Sequence, residues 1–416
     1  MQEKIQNKLN NERFAAFRYR DFRLLWIGLL VSTIGSQMQI VALNWHIYIL
    51  TNSPIALGLI GLIRFVPIVI FSLVGGSFAD VFNRKKIMLV TQSSLVILAI
   101  ILAIVTFSGT VNPTIIYIIT ALSAIALSFD QPARQALIPN LVETKHLANA
   151  LSLNVIMFQV STIVGPMLAG FIIAKYNIGD IYAFNALSYL AVVASIIFMK
   201  TKGEVKGASA VLSLGSIKEG LVFVKSKTII WSTMVLDFFS TFFSSVSALF
   251  PIFAKDILHV GPQGLGFMYA APSIGAILAG FVMAHMGTLS KQGKILLVSI
   301  VFFAIGTIIF GLSKSFILSL LALFIVGAGD SVSTIIRHTI RQIVTPDYIR
   351  GRMTSINMIF FMGGPQLGEF QSGLMAAFIG APLAVALGGV GTLVVVGIMA
   401  YAVPTLRRYD NHTTIL

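Results

Sequence analysis

The chain contains no cysteine, so disulfides, thiolate nucleophiles and cysteine-held metals are all excluded. Charge is scarce too: Asp, Glu, Lys and Arg make up 11% of the 416 residues, where a soluble domain carries about 25%. Acidic residues are the scarcest class, 15 against 29 Lys and Arg. The six His fall in no HExxH or similar ligand spacing, so no metal site is expected. No G-x-x-x-x-G-K-S/T occurs and no soluble stretch is left to hold one, so ATP cannot act directly and no cofactor is called for. Within the apolar stretches there is neither a His/Asp cluster nor a Ser/Lys nucleophile pair, and the chain is not read as an enzyme. The N-terminus is polar and charged; a cleavable leader is not expected, and the first apolar run should act as an uncleaved insertion signal.

What fills the chain instead is apolar sequence, 56% hydrophobic residues with 35 Gly. About 20 apolar residues in a helix cross a bilayer. Twelve such spans can be drawn, over 22–50, 55–79, 87–108, 114–138, 148–175, 181–199, 229–254, 263–287, 294–313, 315–343, 353–379 and 381–404. The weakly alternating segments of about ten residues that mark a β-barrel are absent. The expectation is an all-α membrane protein. With both termini on the cytoplasmic side, 23 of the 29 Lys and Arg fall on inner segments, from Lys4, Lys8 and Arg13 to Arg407 and Arg408. That distribution obeys the positive-inside rule. The net charge of +14 is then a signature of topology, scattered over short loops, and calls for no nucleic-acid partner.

The longest polar connection divides the chain into residues 1–199, a linker 200–228 and residues 229–416. In the linker, Leu214, Ile217, Leu221 and Val224 stand at helical spacing and predict a short amphipathic helix on the cytoplasmic face. A weak repeat crosses the linker: Arg134 and Arg341 are 207 residues apart, as are Gln135 and Gln342, and Pro139 and Pro346. Two six-span repeats around a central cavity are a recurrent transporter plan.

After the second span stands Gly76-Ser77-Phe78-Ala79-Asp80-Val81-Phe82-Asn83-Arg84-Lys85-Lys86. It resembles the G-x-x-x-D-x-x-x-R-K/R motif of the major facilitator superfamily. Gly75 and Gly76 would allow close helix approach, Asp80 would cap a helix N-terminus, and Arg84, Lys85 and Lys86 would hold the inner side. Gly165-Pro166-Met167-Leu168-Ala169-Gly170 resembles the G-P-x-x-G-G element of the superfamily's exporters, with Ala169 departing from it. Phe250-Pro251 through Gly264-Leu265-Gly266, Gly327-Ala328-Gly329-Asp330, Arg350-Gly351-Arg352 and Leu367-Gly368-Glu369-Phe370 are similar to the enterobactin-exporter-like branch. The resemblance implies a monomeric transporter in the bacterial inner membrane, with two pseudo-symmetric six-helix bundles.

An ionisable residue deep in a span is costly and is held there by a partner or a cavity. Arg64 and Glu369 each lie roughly 14–15 Å from the outer end of their spans. The superfamily fold implies that these two spans meet. Three readings stay open: an outer-gate pair, an anion-binding Arg64 with a proton-carrying Glu369, or a static pair. Asp237, roughly 12 Å into the seventh span, is the leading coupling candidate, against a structural hydrogen-bonded aspartate. Asp330, Arg337 and Arg341 share one helical face, and Asp130 and Arg134 form an i, i+4 pair. Both clusters are expected to make inner-gate ion pairs with charges such as Asp80 and Arg84; Asp330 and Arg337 are also substrate candidates. Gln37 and Trp45 in the first span are candidate ligand contacts, with helix packing the competing reading. The expected activity is proton-coupled export of an amphipathic small molecule, siderophore or drug-like. A nutrient or lipid transporter, or a non-transporting receptor or assembly factor, is the alternative.

Overall fold

In the computed structural model, residues 14–204, 214–287 and 290–410 are described. Lys4, Lys8 and Arg13, assigned above to an inner segment, and residues 205–213 of the linker lie outside the described residues. Among the described residues twelve long helices follow one another. They are α1 (Arg20–Thr51), α2 (Pro54–Val81), α3 (Arg84–Phe107), α4 (Pro113–Leu137), α5 (Leu147–Lys175) and α6 (Ile178–Phe198), then, after a shorter α7 (Leu214–Ser226), α8 (Thr228–Ser244), α9 (Gly261–His285), α10 (Gln292–Leu312), α11 (Phe316–Val344), α12 (Asp347–Ile379) and α13 (Ala381–Ala402). Eleven of the segments are both long and apolar enough to cross a membrane. The twelfth, α12, has 33 residues but carries Asn357, Gln366, Glu369 and Gln371, and that polarity lowers its hydropathy, not its reach.

The helix ends follow local chemistry. Asn112 accepts from the Ile115 N–H at 2.9 Å, and Pro113 opens α4, where its missing N–H costs nothing. Asn177 and Asp180 form a reciprocal capping box that starts α6. Along α3, Val90, Ile97, Ile101 and Ile104 form one exposed apolar stripe. Such a stripe is stable only against hydrocarbon, and it identifies a lipid-facing surface.

Two compact units result: Met1–Leu43 with Val66–Val211, and Asn44–Phe65 with Leu212–Leu416. The division follows contact, not chain order, because the hairpin that ends α1 and begins α2 packs with the second unit. In the first unit α3 packs against α4 and α6. Phe22, Leu25, Met88, Leu137, Leu153 and Ile196 form its principal core. In the second unit α11 packs between α9 and α10, and α8 against α12 and α13. A short helix, α7, stands in the linker where an amphipathic helix is expected; the side chains of Leu214 and Ile217 lie outside what is described. Val224 is buried among Ile230, Met234 and Met353, whereas Leu221 is exposed, so the helix uses only part of its predicted apolar face against protein.

Helix α8 is the first part of a broken span. It stops at Ser244, passes through non-helical Ser245 and Val246, and resumes in a 3-10 turn at Ser247–Leu249 before running on to Ile257. A break at membrane depth frees backbone groups that must find other partners.

Candidate functional site

Three ionisable groups of the second unit form a buried cluster. Arg337 of α11 pairs with Asp237 of α8 at 2.9 Å, and Arg341 reaches the same carboxylate at 3.6 Å. All three side chains are 2–3% exposed. Arg337 also donates to Ser333 Oγ at 2.7 Å and Thr334 Oγ1 at 2.9 Å; Arg341 donates to Thr233 Oγ1 and to the Thr233 carbonyl, both at 3.1 Å. The three groups therefore hold the two helices together. This corrects the expectation that the α11 arginines pair with loop charges: their partner is a carboxylate on the neighbouring helix, because their side chains turn into the bundle instead of toward its rim. Asp330, one step further along the same face, is half-exposed and stands 3.8 Å from Arg337.

Glu369 has different surroundings. It is half-buried on α12, and Ser247 Oγ donates to its Oε1 at 2.8 Å. The Ser247 carbonyl, which closes the 3-10 turn by accepting from the Phe250 N–H, also accepts from Tyr269 Oη at 2.9 Å; Asn44 Nδ2 in turn donates to Tyr269 Oη at 2.9 Å. A continuous polar chain thus joins Glu369 to the end of α1. The α1–α2 hairpin is fastened again further along, where Tyr48 donates to Asp256 and Lys255 Nζ donates to Asn52 Oδ1 at 2.9 Å. Gly58 and Gly61 let α2 lie directly on α12: a methyl group at either would collide with the backbone at Glu369–Phe370 or Gln366. Arg64 and Glu369 act on each other electrostatically, but no ion pair within 4.0 Å joins them.

Beside the break lies a cavity of about 290 Å³ within the second unit. Thr241, Ser245, Ser247, Phe250, Tyr269 and Phe303 are among the residues that line it, and Asp330 is the single charged residue in its lining.

In the first unit the Gly76–Lys86 motif works as a clamp. Arg84 donates to the carbonyls of Ala79 at 3.3 Å and Ala136 at 2.8 Å, and Lys85 Nζ donates to the Met199 carbonyl at 2.7 Å. Both cations thereby sit on helix C-terminal carbonyls, where the macrodipole favours them. The cap of α3 is Asn83, not Asp80, because α2 continues through Asp80 to Val81 and leaves that side chain exposed. Gly75 meets the Ser128 backbone, whereas Gly76 has open space among the described residues. Asp130 forms no ion pair with Arg134: it turns toward α3, where Thr91 Oγ1 and Gln92 Nε2 each donate to its Oδ1 at 2.9 Å. In α5, Gly165 lies against the Gln37 side chain and the Ile34 carbonyl, and Pro166 and Gly170 are buried in the same packed helix. Gln37 is half-buried and Trp45 is buried.

A family model described as transmembrane secretion effector matches residues 11–415. The chain belongs to this family, within the major facilitator superfamily. The chain is 23% identical over 390 residues to the enterobactin exporter EntS of Shigella boydii and to that of Escherichia coli, covering 93% of each chain. Its fold is similar to that of a bacterial homolog of the human lysosomal transporter Spinster (TM-score 0.70, 14% identity, 94% and 96% of the two chains). It is also similar to the nucleoside transporter NupG (TM-score 0.70, 14% identity, 94% and 99%). The chain is accordingly a transporter and not an enzyme.

Sequence reasoning did not find Ser247, Tyr269, Tyr48 or Asp256, which fasten the hairpin, nor Thr91 and Gln92 beneath Asp130. Ser247 lies within a run of serines at 244, 245 and 247, a poor helix signal inside an apolar span and the one local hint of the break.

Proposed function

We propose that this protein is a proton-coupled exporter of an amphipathic small molecule, siderophore or drug-like, in the bacterial inner membrane. It works by alternating access, as a monomer, with both termini cytoplasmic. The moving bodies are residues 1–199 and 229–416, joined by the linker 200–228. The α1–α2 hairpin belongs by chain to the first body and by contact to the second, so the Asn44–Tyr269, Tyr48–Asp256 and Lys255–Asn52 contacts are the outer seam that must part for outward opening.

Glu369 carries the reading. It is a membrane-depth carboxylate bonded to one hydroxyl, with no cation in ion-pair range, at the end of the polar chain from that seam. Binding or releasing a proton there changes a full unpaired charge. Asp237, the other coupling candidate, is compensated by two arginines and serves better as a fixed clamp. Arg64 biases Glu369 from a distance. The names of the relatives support export of a siderophore-like molecule.

The test is flux of a labelled catecholate siderophore and of a cationic dye in inside-out vesicles, with and without a proton gradient. The reading expects gradient-driven accumulation of one of them, lost in Glu369→Gln. Accumulation of neither would turn attention to nutrient or lipid movement or to a non-transporting receptor.

A further inference from the structure

The cavity beside the α8 break has an electrostatic character that the export reading leaves unused. Its one charged lining residue is the acid Asp330. That side chain is half-exposed, and among the described residues it accepts no hydrogen bond; its nearest cation, Arg337, is 3.8 Å away and held more tightly by Asp237 at 2.9 Å. Arg337 and Arg341 are 2% exposed and lie behind the wall, outside the lining. A second contribution has the same sign. The last turn of α8 ends at Ser244 on this cavity, and the C-terminal end of a helix presents carbonyls without helix donors and a negative partial charge. Thr241, Ser245 and Ser247 bring hydroxyl-bearing residues to its lining, and Phe250, Tyr269 and Phe303 bring aromatic ones. Oxygen acceptors, a loosely held carboxylate, a helix C-terminus and aromatic rings together solvate an organic cation. An anion there would meet like charge and no donor cation.

We propose that this cavity is the binding subsite for the cationic end, an ammonium group with an attached apolar group, of the molecule that the transporter carries, with Asp330 as its counter-ion. The volume of about 290 Å³ suits one substituted ammonium with a single ring, at the lower end of ligand pockets of roughly 300–1,000 Å³. The assignment rests on the export reading and narrows it, since a purely anionic catecholate would find no partner here.

The test is equilibrium binding of labelled benzyltrimethylammonium to the purified full chain in detergent. Saturable binding should survive excess neopentylbenzene, the neutral isostere, and excess 2,3-dihydroxybenzoate. It should weaken by about tenfold or more in Asp330→Asn, and remain unchanged in Glu143→Gln, an exposed loop carboxylate. Should Asp330→Asn fail to fold by thermal unfolding, Val326→Trp, which fills the cavity without altering charge, must abolish binding. Absence of saturable binding, equal displacement by the isostere or the anion, or full binding in a folded Asp330→Asn each overturns the site. Flux in proteoliposomes separates the two claims. Asp330-dependent binding without flux keeps the site and removes the export reading; proton-driven flux of an anion without binding of the cation does the reverse.

Discussion

Asp237 and Glu369 are two carboxylates of one compact unit, both at membrane depth, and their neighbours give them opposite properties. Asp237 faces two buried guanidinium groups at 2.9 and 3.6 Å, so its charge is part of a packed, compensated cluster. Glu369 has a serine hydroxyl at 2.8 Å and no cation in ion-pair range. Removing the first charge strands two arginines in a dry interior. Removing the second leaves a serine hydroxyl as the bonded partner, with Arg64 beyond ion-pair range. Two carboxylates at similar depth thus differ in the charge of the groups around them, which sets how readily each could change protonation state.

The comparison breaks most readily at Asp237. Asp237→Asn should lower stability by about 3–5 kcal/mol, the cost of uncompensated buried charge, seen as a large fall in thermal unfolding temperature in detergent. A variant that unfolds like the parent would mean that water reaches the arginines. A smaller effect belongs to Asp130, the buried aspartate of the first unit, whose donors Thr91 and Gln92 are neutral. Asp130→Asn keeps an acceptor oxygen for them and should cost roughly 1 kcal/mol in the same assay. Tyr48→Phe removes one hydrogen bond from the hairpin and should cost about 0.5–1.5 kcal/mol. If the seam reading holds, it should also raise labelling of a cysteine placed at Asn52 by an impermeant reagent; unchanged labelling would remove Tyr48 from the seam. The smallest change in stability is expected at Glu369. Glu369→Gln should stay within about 1 kcal/mol of the parent while gradient-driven accumulation is lost and substrate exchange persists. A Glu369→Gln protein that still accumulates substrate would move the coupling role elsewhere.

Much of the architecture was legible in the residues. The drawn spans 22–50 and 315–343 correspond to helices Arg20–Thr51 and Phe316–Val344. The Gly76–Lys86 motif located the clamp at the α2–α3 connection, and the shared face of Asp330, Arg337 and Arg341 was real. Their partner was not legible, because Asp237 lies on a helix about a hundred residues earlier and helical spacing says nothing about which neighbour a face meets. The i, i+4 relation of Asp130 and Arg134 misled for the same reason: proximity along a helix competes with partners on the next one. The cap at Asn83 was missed because Asp80 has the same capping chemistry, and only the true end of α2 decides between them.

By itself the sequence determined class, helix count and the likeness to a transporter superfamily. A bilayer imposes a span length on apolar runs and a sign on the loops between them, and both can be counted along one chain. Tertiary structure alone decided that the α1–α2 hairpin packs with the second unit, that Asp237 is held by two arginines, that Glu369 has no cation within 4.0 Å, and that Asp330 meets Arg337 only at 3.8 Å. Those distinctions depend on distances of a few ångströms between helices far apart in the chain, and electrostatic energy in a dry interior changes steeply over that range.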